Sequence, residues 1–146
     1  MRIKSMFVGL AAVLIATASF AGRGSDGNVG IIYWQAPSIL NPYLSGGTKD
    51  IESSSLVIEA LGGYDNTGAM YAKLAVDLPT VANGGISEDL TSITWKLKSG
   101  VMWSDGSPFT SADVVFTADY CIGEAGCYQE AKFEGVKSVD AIDDLT

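Results

Sequence analysis

The chain has 146 residues, and its hydrophobic fraction of 47% is enough to build the core of one ordinary domain, which excludes a globally disordered polymer. It carries 17 acidic against 9 basic side chains, a formal net charge of −8, so it repels nucleic acid and anionic membrane surfaces. It contains no histidine, so Ser–His and Cys–His nucleophiles cannot be assembled from these residues.

The first 21 residues have the pattern of a secretory signal peptide. Arg2 and Lys4 form a positive n-region, residues 6–16 form an apolar run, and residues 19–21 fit a small-x-small cleavage site. The alternative, a membrane anchor, needs about twenty apolar residues, and no cysteine near the cleavage site supports a lipid anchor. We therefore expect a periplasmic protein that is not inserted in the membrane after cleavage, with a mature net charge of −10 because two basic residues are removed.

Residues 22–28 follow the signal peptide and predict a flexible N-terminus, because Gly, Ser and Asp dominate them. Residues 22–27 also match G-x-G-x-x-G. A dinucleotide fingerprint has to follow a strand and open a helix, and this one follows a signal peptide, so we interpret it as a chance match. The next segment, Val29–Tyr33, is short, apolar and β-branched, which predicts a buried strand.

A loop over Gln35–Gly47 leads to a predicted helix. Thr48 or Asp50 can cap this helix, which we expect to run to Leu61, where a pair of glycines ends it. Tyr64–Tyr71 predicts a hairpin around an Asp-Asn-Thr-Gly turn. Leu74 to Leu78 is expected to be a short helical or irregular turn, and an Asn-Gly-Gly loop follows it.

The stretch Thr91–Cys121 predicts two strands and a helix. Ile93, Trp95 and Leu97 alternate with polar residues, as in a strand with one wet face. Val101–Trp103 begins a second extended run, and the Asp-Gly pair that follows it is a strong turn signal.

The predicted helix begins near Thr110, which precedes Asp113 by the spacing of a capping box. After this helix, Phe133–Val139 predicts one more strand. The two tryptophans Trp95 and Trp103 are expected to pack as core or as a cross-strand aromatic pair, although they could also line a site. Trp34 is open to either a structural or a ligand-stacking role.

Cys121 and Cys127 enclose a loop of five residues. An even pair this close in an exported protein most simply forms a local disulfide. A metal site is the sharper alternative, but without histidine two thiolates alone do not complete a tetrahedral zinc site. The spacing also differs from the C-x-x-C of redox-active pairs.

No catalytic signature is present. The sequence has no G-x-S-x-G, and no recognisable spaced pair of carboxylates supports glycosidase chemistry. The best local candidate for ligand contact is the loop Ile39–Thr48, whose two glycines expose backbone N–H groups before a helix. The same residues are also typical of an ordinary connection between a strand and a helix without a ligand. The sequence alone favours this structural interpretation.

A series of motifs in a fixed order resembles the extracytoplasmic solute-binding proteins of peptide-type ABC transporters, the oligopeptide, dipeptide and nickel-binding family. The resemblance covers nearly all of residues 29–146. Its members are Leu40-Asn41-Pro42, the segment Asp50–Leu61, Tyr64-Asp65, Ala72–Leu78, Ser87-Glu88-Asp89-Leu90, Trp103-Ser104-Asp105-Gly106, Pro108-Phe109-Thr110 and Asp113-Val114-Val115-Phe116.

The resemblance implies an α/β fold of the type II periplasmic binding protein kind, with two lobes that close on a ligand. Residues 29–146 would then be the N-terminal part of the solute-binding domain, with only part of the first lobe and a small subdomain present. The protein would be a monomer without cofactor or metal that passes peptides or similar small solutes to ABC permease subunits. Ser45, Gly46, Gly47 and Thr48 correspond to positions that approach the ligand in relatives.

Family members are much longer than this chain, so the resemblance also implies truncation after Thr146. Two other interpretations stay open at this stage. One is a secreted enzyme whose catalytic residues lie beyond Thr146, and the other is a small stand-alone interaction or structural domain.

Overall fold

A computed structural model describes residues 27–123 and 126–146, and the chain divides into two compact units, Met1–Ile32 and Tyr33–Thr146. The predicted signal peptide, residues 1–21, lies outside the described residues. So do residues 22–26, and with them most of the expected flexible N-terminus and of the G-x-G-x-x-G match.

In the first unit the described residues, 27–32, form neither helix nor strand. The prediction of a buried strand over Val29–Tyr33 is wrong, because Val29, Ile31 and Ile32 are all exposed and Tyr33 is only partly covered. β-branched residues favour extended backbone, but a strand forms only where a neighbouring strand takes up its N–H and C=O groups. Among the described residues no such pairing is present here.

The second unit mixes short helices and strands, so the prediction of combined α and β structure is confirmed. The helices are α1 (Thr48–Ser54) and α2 (Ser111–Gly123), and a single 3₁₀ turn covers Glu130–Phe133. The strands β1 (Gly62–Tyr64) and β2 (Met70–Ala72) form one antiparallel pair.

Helix α1 is shorter than predicted, because it ends at Ser54 and not at Leu61. Two serines compete for backbone groups at its end: Ser54 Oγ donates to Asp50 O at 2.6 Å and Ser55 Oγ donates to Glu52 O at 2.6 Å. The β-branched Val57 and Ile58 then disfavour continuation. No side chain caps the N-terminus, so the expected cap by Thr48 or Asp50 is also wrong.

The predicted hairpin is confirmed, with Tyr64 opposite Met70. Asp65 builds its turn, since Oδ1 accepts hydrogen bonds from Thr67 N at 2.8 Å, Thr67 Oγ1 at 2.7 Å and Ala69 N at 3.0 Å. These bonds hold the pKa of the Asp65 carboxyl below its usual value, the bond from the Thr67 hydroxyl contributing most. Gly68 closes the turn at φ +85°, where glycine avoids the strain of a side chain.

The two strands predicted between residues 93 and 103 do not form. Isolated bridges join Ala75 to Leu97, Ile86 to Ile93 and Met102 to Pro108, and the remaining backbone is irregular. The Asp-Gly turn is present, with Gly106 N donating to Trp103 O at 3.0 Å. The expected alternation buries only one side chain fully, Leu97 at 4% exposure, whereas Ile93 stays exposed.

The start of α2 agrees with the prediction from Thr110 and Asp113. Thr110 N donates to Asp113 Oδ2 at 2.8 Å, which is the carboxylate half of a capping box. Buried Ser111 then ties this helix to the last residues, because its N and Oγ donate to the carbonyls of Asp144 and Asp143 at 2.9 and 2.5 Å.

The buried apolar groups of the described residues are few and small. They are Ala75, Leu97, Ala118, Cys121 and Cys127. The strand predicted over Phe133–Val139 is absent, since Phe133 ends the 3₁₀ turn and the following backbone is irregular. Among the residues that the structure describes, no helix is long and apolar enough to cross a membrane.

Candidate functional site

The predicted ligand-contact loop is folded around the side chain of Asp50. We name residues 38–48 the contact loop: they comprise the predicted loop, Ile39–Thr48, and the preceding Ser38. Asp50, two residues beyond it in α1, is only 3% exposed. Its Oδ1 accepts hydrogen bonds from Ser38 N at 2.6 Å and Ile39 N at 3.4 Å, so one carboxylate oxygen holds the beginning of the loop against its end.

The second carboxylate oxygen holds the middle of the contact loop through a chain of two hydrogen bonds. Ser45 Oγ donates to Asp50 Oδ2 at 2.7 Å, and Gly47 N donates to Ser45 Oγ at 3.1 Å. The Ser45 hydroxyl therefore acts as donor and acceptor at once, which fixes the backbone between Ser45 and Gly47.

Lys49 supplies the counter-charge. Its Nζ lies 2.9 Å from Asp50 Oδ1 and 3.1 Å from Oδ2, and it also donates to Ser38 Oγ. The side chains of Lys49 and Asp50 are 12% and 4% exposed. Hydrogen bonds from Ser45 first and Lys49 second, then from the two backbone amides, hold the pKa of the Asp50 carboxyl well below its usual range, so it stays ionised.

Both glycines of the contact loop are needed for close approach. A Cβ on Gly46 would lie 3.3 Å from Cδ1 of Tyr128, and a Cβ on Gly47 would lie 3.3 Å from Asp50 Oδ2. Each distance is shorter than an ordinary van der Waals contact. An aromatic ring from far along the chain therefore rests on one glycine, and the carboxylate rests on the other.

The segment after α2 is hydrogen-bonded to the contact loop. Tyr128 N donates to Tyr43 O at 2.9 Å, and Gln129 Nε2 donates to Pro42 O at 3.1 Å. A disulfide between Cys121 and Cys127, with the Cα atoms 5.1 Å apart, holds this segment to the end of α2. Both half-cystines are buried.

A groove lies between the contact loop and α2, with a volume of about 230 Å³. Asn41 shapes its rim, because its Oδ1 accepts from Tyr43 N at 2.9 Å. On the contact-loop side, Tyr43 is partly buried, and this burial raises the pKa of its hydroxyl. On the α2 side, the Phe116 side chain is 75% exposed. The groove is lined by Asn41, Tyr43, Leu44, Phe116, Thr117 and Tyr120.

The four predicted contact residues are neighbours in the structure, but they are not equally available to a ligand. The hydroxyl of Ser45 and the amide of Gly47 are engaged within the contact loop, and both residues are half-buried. Gly46 and Thr48 are exposed. If this loop meets a solute, the accessible contacts are the backbone of Gly46 and the side chain of Thr48.

Sequence reasoning missed the parts of this region that come from distant residues. It assigned Asp50 to a helix cap, and nothing in the local pattern marked Tyr128 or the groove. Tyr128 reaches the loop only because the chain folds back over about 85 residues, and no short-range periodicity encodes that return.

The tryptophans do not form the expected pair. Trp103 packs edge-to-face on Phe109, with ring centroids 5.8 Å apart, and Trp95 is half-buried elsewhere. Trp34 is 73% exposed. Within the described part of the chain, no group of three or more Cys, Asp or Glu side chains has the arrangement of a metal site.

The chain matches a known protein family over its second half. Residues 75–146, which are 72 of the 146 residues, match the family model described as "Bacterial extracellular solute-binding proteins, family 5 Middle". The match includes α2, the disulfide and Tyr128, and it begins after the contact loop. The match supports the assignment to a family 5 solute-binding protein and a solute-binding role in import by ABC transporters. Members of this family are extracytoplasmic.

Proposed function

We propose that the protein is the periplasmic solute-binding component of an ABC importer that captures peptides or similar small solutes and delivers them to a permease in the inner membrane. The observation that carries this proposal is the family match over residues 75–146. The ordered motifs from Leu40 onward extend the resemblance upstream of the matched region.

Within this proposal, residues 1–21 direct export and are then removed, and the mature protein acts as a monomer. The described residues then belong to the N-terminal part of a longer, two-lobed protein of the type II periplasmic binding fold. The small core of the second unit is consistent with this, because among its described residues Leu97 is the one large aliphatic side chain that is buried.

The proposed ligand surface is the exposed side of the contact loop, Gly46 and Thr48, together with the groove beside it. The aromatic side chains of the groove suit the apolar side chains of a peptide. Gly46 exposes backbone groups of the kind that hold an extended peptide. Ser45 and Gly47 support this surface from within.

A thermal-unfolding screen tests the proposal. The full-length gene product, including any reading frame beyond Thr146, is purified and mixed with di- to pentapeptides, sugars, opines or nickel complexes. A ligand at about a hundred times its Kd stabilises the folded state by about 2.7 kcal/mol, which gives a clear shift in Tm. We expect the shift with peptides, and no shift with any of the four classes contradicts the proposal.

Two variants then test the ligand surface. Thr48→Ala removes an exposed hydroxyl from the proposed contact and should weaken peptide binding without lowering the Tm of the free protein. Thr94→Ala is the control for loss of a threonine hydroxyl, because Thr94 lies outside the contact loop and the groove. Equal affinities for the two variants would show that Thr48 does not touch the ligand.

A further inference from the structure

The geometry assigns Asp50 as the positioning residue of the proposed ligand surface: its carboxylate holds the contact loop in the shape that presents Gly46 and Thr48. This inference deepens the proposed function and rests on it. It gives a structural role to a buried charge that the sequence pattern treated only as a helix cap.

Asp50 accepts hydrogen bonds from backbone N–H groups that would pair with a neighbouring strand in a sheet. Ser38 and Ile39 lie in irregular chain, and their N–H groups have no strand partner. The carboxylate oxygen Oδ1 accepts both, 12 and 11 residues away along the chain. A loop that would otherwise be open is thus closed at its base by a charge-assisted contact.

The same side chain also fixes the backbone of the contact loop around Gly46. The bond from Ser45 Oγ to Oδ2 and the bond from Gly47 N to Ser45 Oγ leave little freedom on either side of Gly46. Gly46 then lies beside Cδ1 of the Tyr128 ring while remaining exposed, and Thr48, also exposed, starts α1. The exposed geometry therefore depends on a buried carboxylate.

Asp50 is not itself a ligand contact. Its two oxygens already receive two backbone amides, one hydroxyl and the Lys49 ammonium, and the residue is 3% exposed. An ammonium group of a solute has neither access nor a free acceptor there. A carboxylate with this environment acts through the residues it holds.

Isosteric substitution separates this role from general stability. Asp50→Asn keeps the volume but removes the charge, and an amide nitrogen cannot accept from Ser45. Asp65→Asn is the control for loss of a hydrogen-bonded carboxylate away from the contact loop, since the exposed Asp65 organises the β-hairpin turn through bonds from backbone amides and a hydroxyl. Ser45→Ala removes only the hydroxyl that links Asp50 Oδ2 to the Gly47 amide, and Ser45→Thr restores a hydroxyl at this position.

Two measurements on the full-length gene product decide the matter: hydrogen exchange at the amides of Ser38, Ile39 and Gly47, and calorimetric affinity for a mixture of di- to pentapeptides. In Asp50→Asn we expect faster exchange at all three amides and an affinity lower by about tenfold, which corresponds to a binding-competent loop shape populated about a tenth of the time. Ser45→Ala should speed exchange at the Gly47 amide but not at Ser38 and Ile39 and should lower the affinity, Ser45→Thr should restore both, and Asp65→Asn should match the wild type.

The role is refuted if Asp50→Asn keeps wild-type exchange and affinity, or if Asp65→Asn loses as much affinity as Asp50→Asn. Loosened amides with unchanged affinity also refute it, because the loop shape would then be irrelevant to binding. If the wild type binds no peptide, sugar, opine or nickel complex, the proposed function fails, and hydrogen exchange alone still shows whether Asp50 shapes the loop.

Discussion

Asp50 concentrates four donors on one buried carboxylate, and its acid–base behaviour follows from them. Because its folded-state pKa lies below the unfolded value of about 3.9, the stabilisation from its ionised form is fully present above that value. It is lost only as the pH falls through the depressed folded-state pKa. The loop should therefore keep its shape in mildly acidic solution.

Carbon NMR of the Asp50 carboxyl group tests this directly. Between pH 7 and pH 4 its chemical shift should stay constant, whereas the same residue in the urea-unfolded chain should titrate near pH 3.9. A folded-state titration midpoint at or above the unfolded one would show that the hydrogen bonds from Ser45 and Lys49 do not favour the charged form.

A second single-residue prediction concerns the close packing of Gly85 against Pro79. A Cβ at this position would lie 2.8 Å from Cα of Pro79, a backbone atom that cannot move aside cheaply. Gly85→Ala should therefore lower the free energy of unfolding by about 1–3 kcal/mol, measured by urea denaturation of the full-length product. Gly123→Ala is the control, because no other described part of the chain, its own helix backbone aside, lies within 4 Å of its Cβ position and alanine favours a helix.

For single residues, the sequence correctly predicted the features whose hydrogen-bond partners lie close by along the chain. The turn at Asp65 and the start of α2 at Thr110 both depend on partners within five residues. Asp50 was misassigned because its partners Ser38 and Ile39 are more than ten residues away. The four predicted contact residues remain a prediction, although the structure shows that Ser45 and Gly47 are engaged internally.

Among the elements, the disulfide segment connects α2 to the contact loop. The half-cystines are six residues apart, and closing so short a loop stabilises the folded state by about 2 kcal/mol. It also keeps Tyr128 and Gln129 bonded to the carbonyls of Tyr43 and Pro42. Stability and loop shape are therefore coupled through this covalent link.

Replacing both Cys121 and Cys127 by alanine should lower the free energy of unfolding by about 2 kcal/mol and speed hydrogen exchange at the Tyr128 amide. Urea denaturation and exchange mass spectrometry measure the two effects. Reducing agent should reproduce them in the wild type and change nothing in the double variant. Unchanged exchange at Tyr128 in the double variant would show that the disulfide does not hold this segment.

The strands are where the sequence-based prediction failed. Alternation at residues 93–97, and apolar β-branched character at 29–33 and 133–139, express a preference for extended backbone. A strand also needs a partner in register, and among the described residues regular pairing occurs only in the hairpin β1–β2. Helix α2 was predictable because its hydrogen bonds lie within its own segment.

For the molecule as a whole, the balance between covered and exposed apolar side chains is unusual for a stable domain. In the second unit Leu56, Val57 and Ile142 are all more than 60% exposed, whereas the largest fully buried side chains are Cys121 and Ser54. So small a core offsets little of the conformational entropy lost on folding. Under our proposal, further chain of the same protein covers this surface.

Residues 22–146 expressed alone should therefore behave as a compact state without a cooperative unfolding transition and should bind a hydrophobic dye such as ANS. The full-length gene product is the control and should unfold cooperatively without binding the dye. Urea denaturation followed by fluorescence and circular dichroism compares the two. Cooperative unfolding of residues 22–146 alone would instead favour a stand-alone domain.

The central claim is that this chain belongs to a protein that captures small solutes, and isothermal titration calorimetry tests it most directly. The full-length gene product is unfolded in guanidinium chloride, refolded to remove bound ligand, and titrated with a mixture of di- to pentapeptides. We predict saturable heat from one site per protein. Absence of binding heat with peptides, and equally with sugars, opines and nickel complexes, would contradict the claim.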